Sequence, residues 1–122
     1  MVAEPLVELQ SHLVRPHALR RDLNLSRERM ARLIDVSAKT VERWEAQDAL
    51  PARASSRVRI QLAQIQAMRD LGRTVYTPDG FQLFLRTPLP TFGGMTALQM
   101  IELGRIAEVV AALASDYEGL GF

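Results

Sequence analysis

Lys39, Thr40 and Arg43 bring an ammonium, a hydroxyl and a guanidinium fork together within one stretch of five residues. Lys39 and Arg43 stand at i and i+4, so on a helix both cations share a face. This set breaks no bonds by itself. It can hold phosphate oxygens or the acceptor edge of guanine in a major groove. The residues that usually carry bond-making chemistry are sparse. There is no Cys, and the two His, His12 and His17, lie near the amino terminus without clustered carboxylates. No metal-ligand spacing, P-loop or GxGxxG is present, and Gly93-Gly94 alone reads as a turn. No enzyme, metal or cofactor is therefore expected, and binding is.

The elements that must position these donors read as two short helices and a tight turn, LSRERMARLIDVSAKTVERWE. Ser26 is a candidate N-cap, because its oxygen can accept from the unpaired amides of a first turn. Met30, Leu33 and Ile34 follow at the spacing of a buried face. Asp35 stands at the turn, where a left-handed residue is needed and Asp is tolerated. Ser37 is a second cap, opening a helix from Ala38 to about Ala46. There Val41 and Trp44 share one face, with Lys39, Arg43 and Ala46 roughly opposite. Small Ala31 lets two short helices cross closely. This is the pattern of a helix-turn-helix. An ordinary helical hairpin with a solvated basic face is the plainer alternative.

This stretch resembles the phage-repressor-like, Xre-type helix-turn-helix. Ala31, Val36, Ser37, Thr40, Val41, Trp44, Glu45 and Pro51 fall where that family usually has such residues. Asp35 and Gln47 depart from it, standing where Gly is usual. Arg20 or Arg21 could pair with Glu45, as an Arg and this Glu often do in that family.

The charge is uneven. From Arg15 to Arg73 there are 13 Lys or Arg against 7 Asp or Glu; from Thr74 to Phe122 there are 2 against 5, while the total is only +1. A local basic surface favours nucleic acid even when the overall charge is near zero. The acidic remainder suggests a second partner. The 122 residues, 48% of them hydrophobic, suffice for one ordinary domain or two small ones. Absence of Cys suits a reducing cytoplasm. No apolar run approaches the roughly 20 residues that span a bilayer, and MVAEPLVELQ lacks the basic start and apolar core of a signal peptide. A cytoplasmic protein without membrane partners is expected.

Along the chain, Pro5–Leu13 reads as a short helix, either packed on its own domain or serving as a dimerisation arm. His17–Leu23 reads as the first helix of the binding unit. Gln47–Pro51 forms a loop, and Arg53–Leu71 the longest helix, with Val58, Leu62, Ile65 and Met68 on one face and Gly72 as its stop. Arg53, Arg57 and Arg59 either reach phosphates or solvate this helix. Thr77-Pro78 opens another helix, with Phe81, Phe84 and Leu85 on its inner face. Pro88 to Gly94 form a loop, Thr96 caps a helix to about Leu103, and Gly104 breaks it. Ile106, Val109, Val110, Leu113 and Ala114 trace a final stripe. Tyr117, Leu120 and Phe122, interleaved with Gly119 and Gly121, read as a flexible tail.

FLRTPLPTFGG, then TALQMIELG, then a helix and a Tyr- and Gly-containing end, is similar to the carboxy-terminal domain of the Xre/MbcA/ParS antitoxins. The matching residues are Leu85, Thr87, Pro88, Phe92, Gly93, Gly94, Thr96, Leu98, Gly104, Val109 and Leu113. Ala97 replaces a frequent Pro, and Met95 a frequent Arg. The two resemblances together imply an all-α protein, with a helix-turn-helix unit over residues 1–73 and a toxin-binding unit over residues 74–122. They imply the antitoxin of a bacterial type II pair. Its partners would be operator DNA, bound by a homodimer, and a RES-domain or related ADP-ribosyltransferase-like toxin that uses NAD. Ser26, Arg27, Ser37, Ala38, Lys39, Thr40 and Arg43 would meet DNA. Tyr117, Glu118, Gly119, Leu120, Gly121 and Phe122 would meet the toxin. A stand-alone regulator, and an interaction module that no longer binds DNA, remain as alternatives.

Overall fold

In a computed structural model, which describes residues 14–119, every regular element of the described residues is helical. The helices are α1 Pro16–Leu23, α2 Arg27–Ile34, α3 Ala38–Gln47, α4 Ser56–Val75, α5 Pro78–Arg86, α6 Ala97–Glu102 and α7 Ile106–Gly119, with a 3-10 turn at Pro90–Phe92. The all-α expectation holds. The chain divides into two compact units between Gln66 and Ala67, a division that falls inside α4. The expected helix at Pro5–Leu13 lies outside the described residues.

In the first unit α1 and α2 both pack on α3. Leu19, Leu23, Met30, Leu33, Ile34 and Val41 are fully or almost fully buried, and Ala31 is 4% exposed. Each such aliphatic side chain contributes about 1.5–3 kcal/mol on leaving water. The helix starts follow the serines as expected. Ser26 Oγ accepts from Arg29 N at 3.0 Å and Ser37 Oγ from Thr40 N at 3.1 Å. The helix ends follow a rule that sequence reading caught only in part. Asn24, Asp35 and Asp48 close α1, α2 and α3 in the left-handed region, with φ of 53°, 54° and 47°. Asx residues bear that conformation better than other side-chain-bearing residues. The second turn is thus made by Asp48 and not by Gln47, which still belongs to α3.

In the second unit α5 packs on α6 and α6 on α7. Thr77 caps α5 through Gly80 N. Thr96 and Gln99 form a reciprocal capping box at α6, with bonds of 3.1 and 2.9 Å. Gly93, Gly94 and Gly104 take positive φ, the conformation for which their missing Cβ suits them. Two expectations fail here. The long helix begins at Ser56, leaving Arg53 in the preceding loop, and it runs through Gly72 to Val75. Gly72 is not a stop; a Cβ there would stand 2.2 Å from the ring of Phe81. That ring is 1% exposed, so the glycine makes room for an aromatic. The final stripe is also narrower than its pattern. Val109 and Leu113 are 0% exposed, whereas Ile106, Val110 and Ala114 are only half-buried.

Candidate functional site

α3 carries the site. Val41 is fully buried and Trp44 is 9% exposed, and this pair fixes which side of the helix faces inward. Lys39, Arg43 and Ala46 are exposed, as are Ser26, Arg27 and Ser37, while Ala38 and Thr40 are half-buried. All seven candidate DNA-contacting residues thus sit on α2, α3 or their caps, in the same unit. The two cap serines stand at helix N-termini, where residual positive dipole favours anions.

Three of these side chains are linked. Ser37 Oγ and Thr40 Oγ1 lie 2.9 Å apart, and Arg43 Nη2 donates to Thr40 Oγ1 at 3.2 Å. Beside them a cleft of about 420 Å³ is lined by Arg43, Trp44, Gln47 and Arg53, among others.

The helix is held by a carboxylate in its last turn. Glu45, its side chain 3% exposed, accepts from Arg20 Nε at 2.5 Å and Arg20 Nη2 at 2.8 Å, and from Arg27 Nε at 3.0 Å. Arg20 also donates to the carbonyl of Leu25 at 3.0 Å. Of the two arginines that could reach Glu45, Arg20 does. Burial alone would raise the Glu45 carboxyl pKa, but the hydrogen bonds from Arg20 and Arg27 outweigh it and hold the group below its ordinary value. The bond to Glu45 pushes the Arg20 guanidinium up. Arg27 is half-exposed, at 46%. It is therefore not simply an outward cation, since one edge of its fork is tied to Glu45.

Three further clamps escaped sequence reading. The carboxylate of Asp48 accepts from His17 N at 2.8 Å. Arg15, the N-cap of α1, makes no side-chain cap, so the residue that ends α3 also satisfies the start of α1. Arg57 donates to the carbonyls of Ile34 and Asp35, at 2.9 and 3.1 Å. Arg59 donates to the carbonyls of Ala52 and Ala54, at 2.9 and 3.2 Å, and to that of Pro51. These carbonyls belong to a helix end and a loop, where the backbone has no regular partner. The signal in the sequence was a pair of arginines in the first turn of α4, directly after that loop.

The second unit holds an open groove of about 690 Å³, with Leu83, Phe84, Leu89, Pro90 and Ala112 among its apolar lining. Tyr76 donates to the carboxylate of Asp116 at its wall. Burial and this bond push the Tyr76 hydroxyl up to about 12. Tyr76 stacks on Phe84 with centroids 5.6 Å apart, and Phe84 meets Phe92 edge-on at 6.3 Å. Of the expected toxin-contacting residues, Tyr117, Glu118 and Gly119 are the last residues of α7. Tyr117 to Gly119 are therefore helical, where the sequence suggested a flexible tail. Leu120, Gly121 and Phe122 lie outside the described residues.

No family model matches the sequence. No curated protein matches it either. A solved structure does match: a chain of the M. tuberculosis MbcT-MbcA toxin-antitoxin complex, at a TM-score of 0.66 and 20% identity. The likeness covers 85% of this chain and 91% of that one. The protein shares its fold with a component of a toxin-antitoxin complex. Among the described residues, no helix is long and apolar enough to cross a membrane.

Proposed function

We propose that this chain is the antitoxin of a bacterial type II toxin-antitoxin pair, which silences its toxin and represses its own operon. The observation that carries the reading is the fold likeness to a toxin-antitoxin component, because it extends over 85% of the chain and so spans both units. The first unit supports the DNA half of the proposal. Lys39 and Arg43 are exposed on a helix whose opposite face is buried, the arrangement of a recognition helix. A homodimer would set two such helices in successive major grooves of a palindrome. Ser26, Ser37 and Arg27 would contact phosphates; Lys39, Thr40 and Arg43 would read bases, with Ala38 lying against them. The second unit would bind a RES-domain or related NAD-using toxin through Tyr117 to Phe122, aromatic and Leu anchors of the kind that dominate interfaces.

The test is co-expression with the neighbouring open reading frame. Growth should arrest only when this chain is absent. Arg43→Ala should lower affinity for the upstream DNA about tenfold or more in a salt-controlled gel shift and leave growth rescue intact. Deleting residues 117–122 should abolish rescue and spare DNA binding. DNA binding with no toxic neighbour would instead mark a stand-alone regulator.

A further inference from the structure

We propose that Thr40 is a positioning residue that fixes how Arg43 reads its base, and so sets sequence preference without being the main reader. This rests on the DNA-binding half of the function proposed above.

A guanidinium has no acceptor, so the direction of the 3.2 Å bond is settled: Arg43 Nη2 donates and Thr40 Oγ1 accepts. Thr40 is itself held. Its amide donates to Ser37 Oγ at 3.1 Å, and its hydroxyl lies 2.9 Å from the same oxygen. Ser37 is in turn fixed as the N-cap of α3. The order is cap, threonine, arginine, each one helical turn apart. Arg43 is the exposed end of this chain of bonds, and Thr40 is half-buried against the helix.

The consequence is a restrained fork. Bidentate contact with guanine needs two N–H groups presented together at N7 and O6. A free arginine on a helix surface samples many rotamers and loses that freedom on binding. Nη2 carries two hydrogens, so giving one to Thr40 leaves the other free to act together with a neighbouring N–H of the guanidinium, and removes part of this cost before DNA arrives. It also selects against rotamers that would bring Arg43 to a phosphate or a neighbouring base pair. Ser37 and Thr40 need only one hydroxyl proton for the bond between them. The other proton remains for a partner beyond the protein.

The test uses the full chain. A randomised duplex pool is first enriched on the wild-type protein. The enriched duplex and all its single-base-pair variants are then titrated with wild type, Thr40→Val, Thr40→Ser and Arg43→Ala at fixed salt. Arg43→Ala should erase discrimination at one base pair of each half-site. Thr40→Val, which keeps the shape and removes the hydroxyl, should reduce discrimination about tenfold at that same base pair. Its Tm should match wild type, any loss on unselected duplex should be smaller than the loss of discrimination at that base pair, and Thr40→Ser should restore the preference. A Thr40→Val effect spread evenly over all duplexes, centred on a different base pair, or absent, would overturn the proposal while leaving DNA binding intact. A wild-type chain that retains no duplex even at low salt would remove the DNA-binding reading, and this inference with it.

Discussion

The two units keep their short helices in place by different means. The first relies on polar clamps: Glu45 between Arg20 and Arg27, Asp48 on the amide of His17, and Arg57 and Arg59 on loop carbonyls. The second relies on rings: Phe81 against Gly72, and the Tyr76–Phe84–Phe92 series. Directional bonds fix the angle of a helix; ring packing tolerates rotation but penalises any change of volume. A unit proposed to present a helix to a regular groove would gain from the first strategy. A unit whose expected partner is another protein can accept the second.

Removing Glu45 should show the contrast most strongly. Glu45→Ala leaves Arg20 without its carboxylate, and breaking such a buried pair typically costs about 3–5 kcal/mol. We expect the lower end, because Arg20 retains the Leu25 carbonyl and is 19% exposed. Urea unfolding followed at Trp44 should lose that much stability. A double-mutant cycle with Arg20→Ala should return a large coupling, and a coupling near zero would remove the clamp from the account.

Gly72→Ala is the matching break in the second unit. Helix propensity alone would favour alanine by about 1 kcal/mol. The new methyl would meet the buried Phe81 ring at 2.2 Å, and overpacking of this kind costs about 1–3 kcal/mol. The outcome should be a net loss, read as a lower Tm. A more stable variant would mean that the ring moves freely.

Acid and alkali should sort the units. Glu45 has its pKa lowered by folding, so its contribution is present above the ordinary value of 4.5 and is lost as pH falls below it. Tyr76 has its pKa raised from 10.0 to about 12, so its contribution is complete below 10 and is lost as pH rises through that window. Amide exchange should report acid weakening first in α1–α3 and alkaline weakening first in α5–α7. Tyr76→Phe should flatten the alkaline limb.

The smallest effects belong to the left-handed helix ends. Asp35→Gly relieves an unfavourable φ and should gain up to about 1 kcal/mol. Asp48→Gly relieves the same torsion but surrenders the bond to His17 N, so it should gain nothing. Thermal melts of the two single variants would separate torsion from capping.

What was legible in the sequence was local. Ser26, Ser37, Thr77 and Thr96 announce their helices because a cap needs only the next three residues. The buried faces of α2, α3 and α5 followed from periodicity, and with them the outward side of α3. The failures were those whose causes lie elsewhere in the chain. Gly72 was read as punctuation because the ring that requires it arrives nine residues later. The second turn was assigned one residue early, at Gln47, whereas Asp48 takes the left-handed conformation. The Tyr76–Asp116 bond joins residues 40 apart in sequence, a distance over which no spacing rule operates.

Arg57 and Arg59 change the meaning of the positive charge massed before residue 74. Their guanidinium groups donate to peptide oxygens of this same unit, as rivets in the frame. Counterion release tracks only those cations that neutralise phosphates. A plot of binding constant against ionic strength should therefore fall less steeply than a tally of basic residues suggests. Lysine at position 57 would preserve that tally while giving up the two-nitrogen fork that now spans both oxygens.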